Sequence, residues 1–312
     1  MICQQPRSNA EGGGPAGPRP VWVCTLVSRL ARLAFCSRVR HTLSISLLWW
    51  LPLSSCVAGQ PDGAELASAW LSASALDFDF KEFDAGGTRL NHEHGSLPGV
   101  AAGMKLSGDT AFAEAQVSYY SGAVRYDGQT QSGLPVTTRT DEGIFDGSAL
   151  AGVHVRLPNG FGSAVFAGAG YRHWNRGIRS TQSAAGLSEI YDWWYALVGV
   201  NGSYRASKRM RWTADLRLAR PLNPSIRVKF GNALDDKTLK LGEKTGYRLA
   251  LAWHYSLTGR AGLEISPFYE QWKLGRSATR NLTQNGTPLG TLYEPRSEAK
   301  SRGLRIGFGY NF

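Results

Sequence analysis

Apolar and polar residues alternate along much of this chain, and the alternation is clearest in the last ten residues. There, Leu304, Ile306, Phe308, Tyr310 and Phe312 occupy every second position, and arginine, glycine and asparagine stand between them. A period of two is that of a β-strand with one apolar and one polar face. The pattern therefore predicts a strand at the C terminus.

The same alternation recurs upstream, in segments separated by turn-forming residues such as Gly108-Asp109. With the C-terminal strand, the alternating segments cover residues 76–81, 100–106, 111–119, 146–157, 165–172, 194–205, 211–218, 247–257, 263–270 and 303–312. Short connections follow the even-numbered segments, and long connections follow the odd-numbered ones. A soluble β-sandwich has no reason to alternate its loop lengths so regularly.

These features predict an all-β fold, a single closed antiparallel up-and-down transmembrane β-barrel of about ten strands, with short turns on one side and long loops on the other. We take the apolar face as lipid-facing, which turns Leu76, Phe78 and Phe80 outward and places Asp77 and Asp79 in the lumen. The interior of a ten-stranded barrel is narrow. We therefore expect a polar, largely filled lumen.

The N-terminal region differs from the rest. A basic stretch ending near His41 precedes a short apolar run, residues 43–53, and small residues follow it. This order is typical of a secretory signal peptide. We predict an N-terminal extension plus signal peptide at 1–58, a lead at 59–72 and the barrel at 73–312. Cleavage after Ala58 is one interpretation, and a lipidated Cys56 is the alternative.

Charge and cysteine content support export. Residues 1–58 carry six arginines and one glutamate, so their removal lowers the net charge from +11 to +6. The remaining basic residues are scattered, which argues against nucleic-acid binding. All four cysteines lie in the same segment. A chain without cysteine suits an oxidising compartment and excludes a cysteine nucleophile.

The terminal strand resembles the C-terminal strand of Gram-negative outer-membrane β-barrels, which ends in Phe after alternating aromatic residues. The resemblance implies that Tyr310 and Phe312 form an assembly signal read by the outer-membrane assembly machinery. It also implies the outer membrane as location, with outer-membrane lipid and lipopolysaccharide as partners. An even strand count places both ends on the periplasmic side. We expect a monomer without cofactors.

Several residues are candidates for chemistry. Omptins are outer-membrane proteases of similar size and strand number, which use aspartate pairs and an aspartate–histidine pair to activate water. That resemblance brings Asp77, Asp79, Asp146 and His173 forward as catalytic candidates, although no stretch matches the omptin active-site sequence. His92 and His94 stand two residues apart in the first outer connection and are candidate metal ligands, but a His-x-His pair alone does not establish a metal site.

Two polar stretches flanked by aromatic residues are candidates for binding sugars or lipopolysaccharide head groups. They supply Tyr126, Asp127, Gln129, Gln131 and Trp174. The sequence therefore predicts an outer-membrane barrel with structural or surface-binding roles that is not an enzyme. The alternatives are an omptin-like or lipid-modifying hydrolase and a narrow channel for small solutes.

Overall fold

The computed structural model describes residues 2–4, 66–130, 133–156, 161–231 and 233–312, and β-strands dominate them. The predicted signal peptide, with Ala58 and Cys56, lies outside the described residues apart from Ile2–Gln4, and so does Gln131. Across the described residues no helix has the length and hydropathy needed to cross a membrane.

Fourteen strands follow one another in the described part of the chain. They are β1 (Ile2–Gln4), β2 (Leu66–Phe83), β3 (Arg89–Ser107), β4 (Ala111–Gln129), β5 (Pro135–Arg156), β6 (Phe161–Ile178), β7 (Leu187–Arg205), β8 (Met210–Lys229), β9 (Lys237–Lys240), β10 (Gly242–Ser256), β11 (Ala261–Gly275), β12 (Arg280–Gln284), β13 (Thr287–Tyr293) and β14 (Arg296–Asn311). Ten of them are long and form the barrel.

The barrel is closed and antiparallel. Each long strand pairs with the next along the chain, β8 pairs with β10 directly, and β14 pairs with β2. The last pairing runs from Arg296 opposite Phe83 to Asn311 opposite Ser68, and the Phe312 amide donates to the Ala67 carbonyl at 2.9 Å. The predicted ten-stranded up-and-down barrel is confirmed.

The barrel strands are longer than the alternating segments indicated. The first one begins at Leu66 and not near residue 73, and the ten range from 15 to 22 residues. A tilted strand needs only about 9–11 residues to cross a bilayer. Each strand therefore continues well beyond the membrane, and much of the predicted long outer connections is strand.

Exposed apolar side chains form a continuous band around one end of the barrel, for example Leu71, Met104, Val198, Leu249 and Ile306. We call this end the membrane half. It comprises residues 67–75, 98–107, 111–119, 145–155, 161–171, 194–205, 210–222, 247–256, 261–269 and 304–311. The rest of the ten strands we call the outer half. The short turns, such as that at 108–110, lie at the membrane-half end.

The outer half has the opposite polarity. Leu76, Phe78 and Phe80 point inward and are at most 5% exposed, whereas Asp77 is exposed on the outer surface. The assignment of these apolar residues to the lipid face, and of Asp77 and Asp79 to the lumen, was wrong. The strand keeps its alternation through both halves, but outside the membrane water surrounds the wall, so the apolar side chains turn inward.

Glycines let aromatic rings cross the interior of the barrel. A Cβ on Gly170 would lie 2.3 Å from Cζ of Tyr195, and one on Gly303 would lie 2.2 Å from Cζ of Phe268. Only glycine accommodates a ring that lies this close to the neighbouring strand. These rings help to fill the lumen.

Candidate functional site

A cluster of buried charges occupies the interior of the outer half, with Arg176 at its centre. Its guanidinium lies 2.5 Å from Glu189 and 2.5 Å from Glu93, and 3.3 Å from Glu82. Glu142 lies 3.9 Å from the Nε atom. All five side chains are at most 1% exposed.

Glu294, just before β14, completes this group. Its Oε1 accepts a hydrogen bond of 2.6 Å from the Tyr191 hydroxyl, which also accepts one of 3.1 Å from Arg176. We call Arg176 and the five glutamates (Glu82, Glu93, Glu142, Glu189 and Glu294) the Arg176 cluster.

The walls of the cluster are aromatic. The Arg176 guanidinium lies 4.2 Å from the centre of the Phe80 ring, and Trp174 stacks on Tyr191 at 4.9 Å. The Trp174 indole donates to Glu142 at 2.5 Å. Trp174, predicted as a surface-binding residue in a loop, is instead 3% exposed inside the barrel. Such surroundings lower the local dielectric, so the electrostatic interactions between the charges in the cluster are stronger than they would be in water.

The Arg176 cluster contains more carboxylates than cations. Five glutamates face one arginine, and Oε2 of Glu93, Oε1 of Glu142 and Oε2 of Glu294 have no hydrogen-bond partner among the described residues. Burial, and then repulsion from Glu82, raises the pKa of Glu294 well above its usual value. The raised pKa means that the neutral, protonated form of Glu294 is favoured in this buried environment.

A second charged layer lies nearer the membrane half. Arg172 contacts Asp146 at 3.1 Å and Glu270 at 2.6 Å. Tyr195 donates to Asp146 at 2.9 Å, and Trp272 donates to Glu270 at 2.8 Å. A cavity of about 30 Å³ beside these residues has room for one or two water molecules.

A third layer crosses the membrane half. Arg217 contacts Asp215 at 2.7 Å and Glu114 at 3.7 Å, and His254 lies 3.2 Å from Glu264. Charges inside a membrane-spanning barrel are tolerated when they pair with one another or meet water. Charged and aromatic side chains therefore fill the described lumen at three levels.

The four catalytic candidates do not come together. Asp79 lies on the outer surface, 2.7 Å from Lys81 and 2.9 Å from His92. Asp146 is inside the barrel with Arg172. His173 belongs to the outward-facing set on β6, where its Nδ1 lies 2.6 Å from Asp192. Asp77 is exposed on the outer surface and takes part in none of these ion pairs.

The histidine pair lies on strand β3 and not in a loop. His92 and His94 point to the same face and stack at 4.6 Å, and His92 Nε2 meets Asp79. Tyr126, Asp127 and Gln129 likewise lie at the end of strand β4. The continuation of β3 and β4 beyond the apolar band was not visible in the sequence because the polarity reverses there.

A cleft on the outer surface brings together three arginines that no sequence pattern had connected. Arg125 and Arg139 stand directly opposite each other on β4 and β5, and the Arg179 amide donates to the Arg139 carbonyl at 2.9 Å. The cleft holds about 430 Å³, and its lining comprises Arg125, Thr137, Thr138, Arg139, Arg179 and Ser180. We call it the arginine cleft.

Two of these arginines have carboxylate partners. Arg125 contacts Asp127 at 2.8 Å, and Arg179 contacts Asp141 at 2.6 Å. Arg139 is exposed, and no carboxylate among the described residues pairs with it. Like charges directly opposite each other destabilise a strand pair. The cleft thus has the donors and the surplus charge to attract an anion.

Sequence comparisons find no relatives, but the fold has known counterparts. No protein-family model and no curated protein sequence matches the chain. The outer-membrane protease OmpT of Escherichia coli matches in structure with a TM-score of 0.56 and 12% identity, over 83% of this chain and 99% of OmpT. The outer-membrane protein OprG of Pseudomonas aeruginosa matches with a TM-score of 0.38 and 10% identity, over 80% of this chain and 97% of OprG. The chain has the fold of the small outer-membrane β-barrels.

Proposed function

We propose that this protein is a non-conducting outer-membrane barrel that binds phosphate groups of lipopolysaccharide in the arginine cleft. The observation that carries the proposal is the meeting of Arg125, Arg139 and Arg179 on the outer wall above the apolar band. Guanidinium groups bind phosphate through two parallel hydrogen bonds. Lipopolysaccharide is the phosphate-bearing molecule that surrounds the outer wall of an outer-membrane protein.

The height of the cleft suits the head group. On β5, the distance from Phe145, at the upper edge of the apolar band, to Arg139 corresponds to roughly 20 Å of strand. On β4 the same distance separates Tyr119 from Arg125, and both Phe145 and Tyr119 are exposed. Because barrel strands are tilted, the cleft lies less than this above the hydrocarbon region, at the level of the sugars and phosphates.

The filled lumen supports the non-conducting part of the proposal. Three layers of paired charges, together with rings such as Tyr195 and Phe268, occupy the interior, and the cavity beside Asp146 and Glu270 measures about 30 Å³. The scattered positions of Asp77, Asp79, Asp146 and His173 give no support to a hydrolase built on those residues. Protein in planar bilayers should therefore show no large steady conductance, and ohmic openings in every insertion would contradict a filled lumen.

The binding test compares exposed arginines in two places on the outer wall. Protein would be titrated with lipopolysaccharide in detergent, and binding followed by tryptophan fluorescence or light scattering. Arg139→Ala and Arg179→Ala should each weaken binding about tenfold and reduce its salt dependence. The control is Arg220→Ala, which removes an exposed arginine paired with Glu243 elsewhere on the wall.

Dephosphorylated lipopolysaccharide provides the second arm of the test. It should bind the unaltered protein as weakly as the phosphorylated form binds the Arg139→Ala variant. Equal binding of both lipopolysaccharides, or equal losses in the cleft variants and Arg220→Ala, would overturn the proposal.

A further inference from the structure

Two histidines lie side by side on the outer wall of the outer half. His92 and His94 stand two residues apart on β3, so both side chains leave the strand on the same, outward face. Their ring centres are 4.6 Å apart. Two imidazoles that bind one metal ion at about 2.0–2.1 Å bring their ring centres to within roughly 5 Å of each other. The strand therefore presents the pair at a spacing that suits a shared ion.

A carboxylate orients the first ring of the pair. Nε2 of His92 lies 2.9 Å from Oδ2 of Asp79 on the neighbouring strand β2. Metal-binding histidines commonly donate one ring N–H to a carboxylate, which leaves the lone pair of the other nitrogen for the metal. The Asp79–His92 contact is of this kind. Nδ1 of His92 forms no hydrogen bond to any described residue, and it is the nitrogen that remains for an ion.

The second ring has no hydrogen bond to hold either of its nitrogens. His94 makes no side-chain hydrogen bond to another described residue, and its Nδ1 is buried. A buried polar atom without a partner is uncommon in a native structure. Since no hydrogen bond fixes this ring, rotation towards an ion beside His92 would give His94 a partner.

The charges around the pair decide which kind of ion fits. Asp79 accepts a hydrogen bond of 2.7 Å from Lys81. Asp127, opposite His92 on β4, accepts one of 2.8 Å from Arg125. Both carboxylates already have a cation, so little negative charge remains for Ca²⁺ or Mg²⁺, which prefer carboxylate and carbonyl oxygens. The imidazole nitrogens remain, and they favour Ni²⁺, Cu²⁺ and Zn²⁺.

We propose that His92 and His94 bind one divalent transition-metal ion on the outer wall, and that Asp79 positions His92. Nδ1 of His92 and one ring nitrogen of His94 are the protein ligands, and water fills the other positions around the ion. The site does not depend on the phosphate binding proposed above, because neither histidine lines the arginine cleft.

The test measures the metal directly. Untagged protein would be exchanged into detergent free of lipopolysaccharide, stripped with EDTA and titrated with Cu²⁺, which binds nitrogen ligands most tightly of the three ions. Its EPR spectrum counts the nitrogens bound to it. We expect one Cu²⁺ per chain with two nitrogen ligands, displaced by Zn²⁺ but not by an excess of Ca²⁺. No uptake of Cu²⁺ by the stripped, folded protein, or its displacement by Ca²⁺, would overturn the proposal.

Two variants assign the ion to the histidines. His92→Ala and His94→Ala should each lose the two-nitrogen spectrum and weaken Cu²⁺ binding by at least about tenfold. The control is His173→Ala, which removes an outward-facing histidine held by Asp192 elsewhere on the wall. Folding of each variant would be checked without metal by its shift in electrophoretic mobility on heating. Unchanged Cu²⁺ binding in folded His94→Ala protein, or an equal loss in His173→Ala, would contradict the assignment.

A third variant tests the positioning role of Asp79. Asp79→Asn should weaken Cu²⁺ binding by about tenfold, while the spectrum still shows two nitrogen ligands because both histidines are present. Asp79→Glu, which restores the carboxylate, should recover part of the affinity. Equal affinities in the unaltered protein and Asp79→Asn would show that this carboxylate does not position His92.

Discussion

The same ten strands run through both halves of the barrel, but the two halves place their apolar side chains on opposite faces. On β2, Ser72 and Ser74 point inward in the membrane half, whereas Phe78 and Phe80 point inward in the outer half. Outside, Leu71 is 64% exposed in the first region, and Asp77 is exposed in the second. The medium around the wall, and not the strand itself, therefore decides which face is apolar.

The largest effect is expected from the centre of the outer half. Arg176→Ala leaves five buried glutamates without their guanidinium and should destabilise the outer half by about 3–5 kcal/mol. Hydrogen exchange would show it as lost protection in the outer half, with the membrane half still protected. The control is Arg179→Ala, which breaks an exposed ion pair with Asp141 and should cost about 0–1 kcal/mol. Equal exchange in both variants would mean that the cluster does not hold this half together.

A charge placed on the outer wall should distinguish the halves. Ile306→Arg puts a cation in the apolar band and should cost about 2–4 kcal/mol. Ala123→Arg, on the outer surface of the outer half and opposite Asp141, should change the free energy of unfolding by less than about 0.5 kcal/mol. Urea unfolding in lipid vesicles measures both. Similar costs at the two positions would show that the apolar band does not mark the membrane.

Assembly should depend on the membrane half and its last residue. Phe312 is 71% exposed, packs edge-on against Tyr310 at 5.3 Å and closes the barrel through its amide. Deleting Phe312 should lower the amount of folded, protease-resistant barrel in the outer membrane severalfold. Removing an outer-half aromatic such as Tyr126 by substitution with Ala provides the control. Normal assembly without Phe312 would show that the terminal motif is a coincidence.

The smallest effect concerns a loop at the outer end. The Thr283 hydroxyl, and then the amides of Gly286 and Asn285, donate to Asp235 and hold its pKa below the usual 3.8. A lowered carboxyl pKa adds stability above pH 3.8 that is lost as the pH falls through the lowered value. Exchange of the Gly286 amide should therefore accelerate under acid conditions relative to other turn amides. In Asp235→Asn that extra pH dependence should disappear.

The fold could be predicted from the sequence because the two-residue alternation and the turn residues are both visible within short segments of the chain. Each strand in the apolar band carries its alternation in its own residues, and turns such as Gly108-Asp109 mark the ends. The extent of the strands was not accessible, because Leu76, Phe78 and Phe80 continue the same alternation with the opposite face inward. No property of β2 alone shows where lipid ends and water begins.

The candidate sites were harder to predict because they are assembled by register. Arg125, Arg139 and Arg179 come from neighbouring strands, and Arg176 meets glutamates from several parts of the chain. Sequence patterns favoured Asp77 and Asp79 because they stand together in the chain, yet the barrel turns them away from the interior. Trp174 was assigned to a loop because β6 was expected to end before it.

The reversed polarity of the outer half has a consequence for recognition from outside the cell. An antibody or phage that approaches this protein meets rigid strand walls in addition to loops. Along such a wall, Asp77, Asp79 and Lys81 face outward, while their neighbours Phe78, Phe80 and Glu82 are buried inside. Escape variants selected against an antibody should therefore recur at every second residue, so that antigenic drift itself would display the two-residue period of the strand.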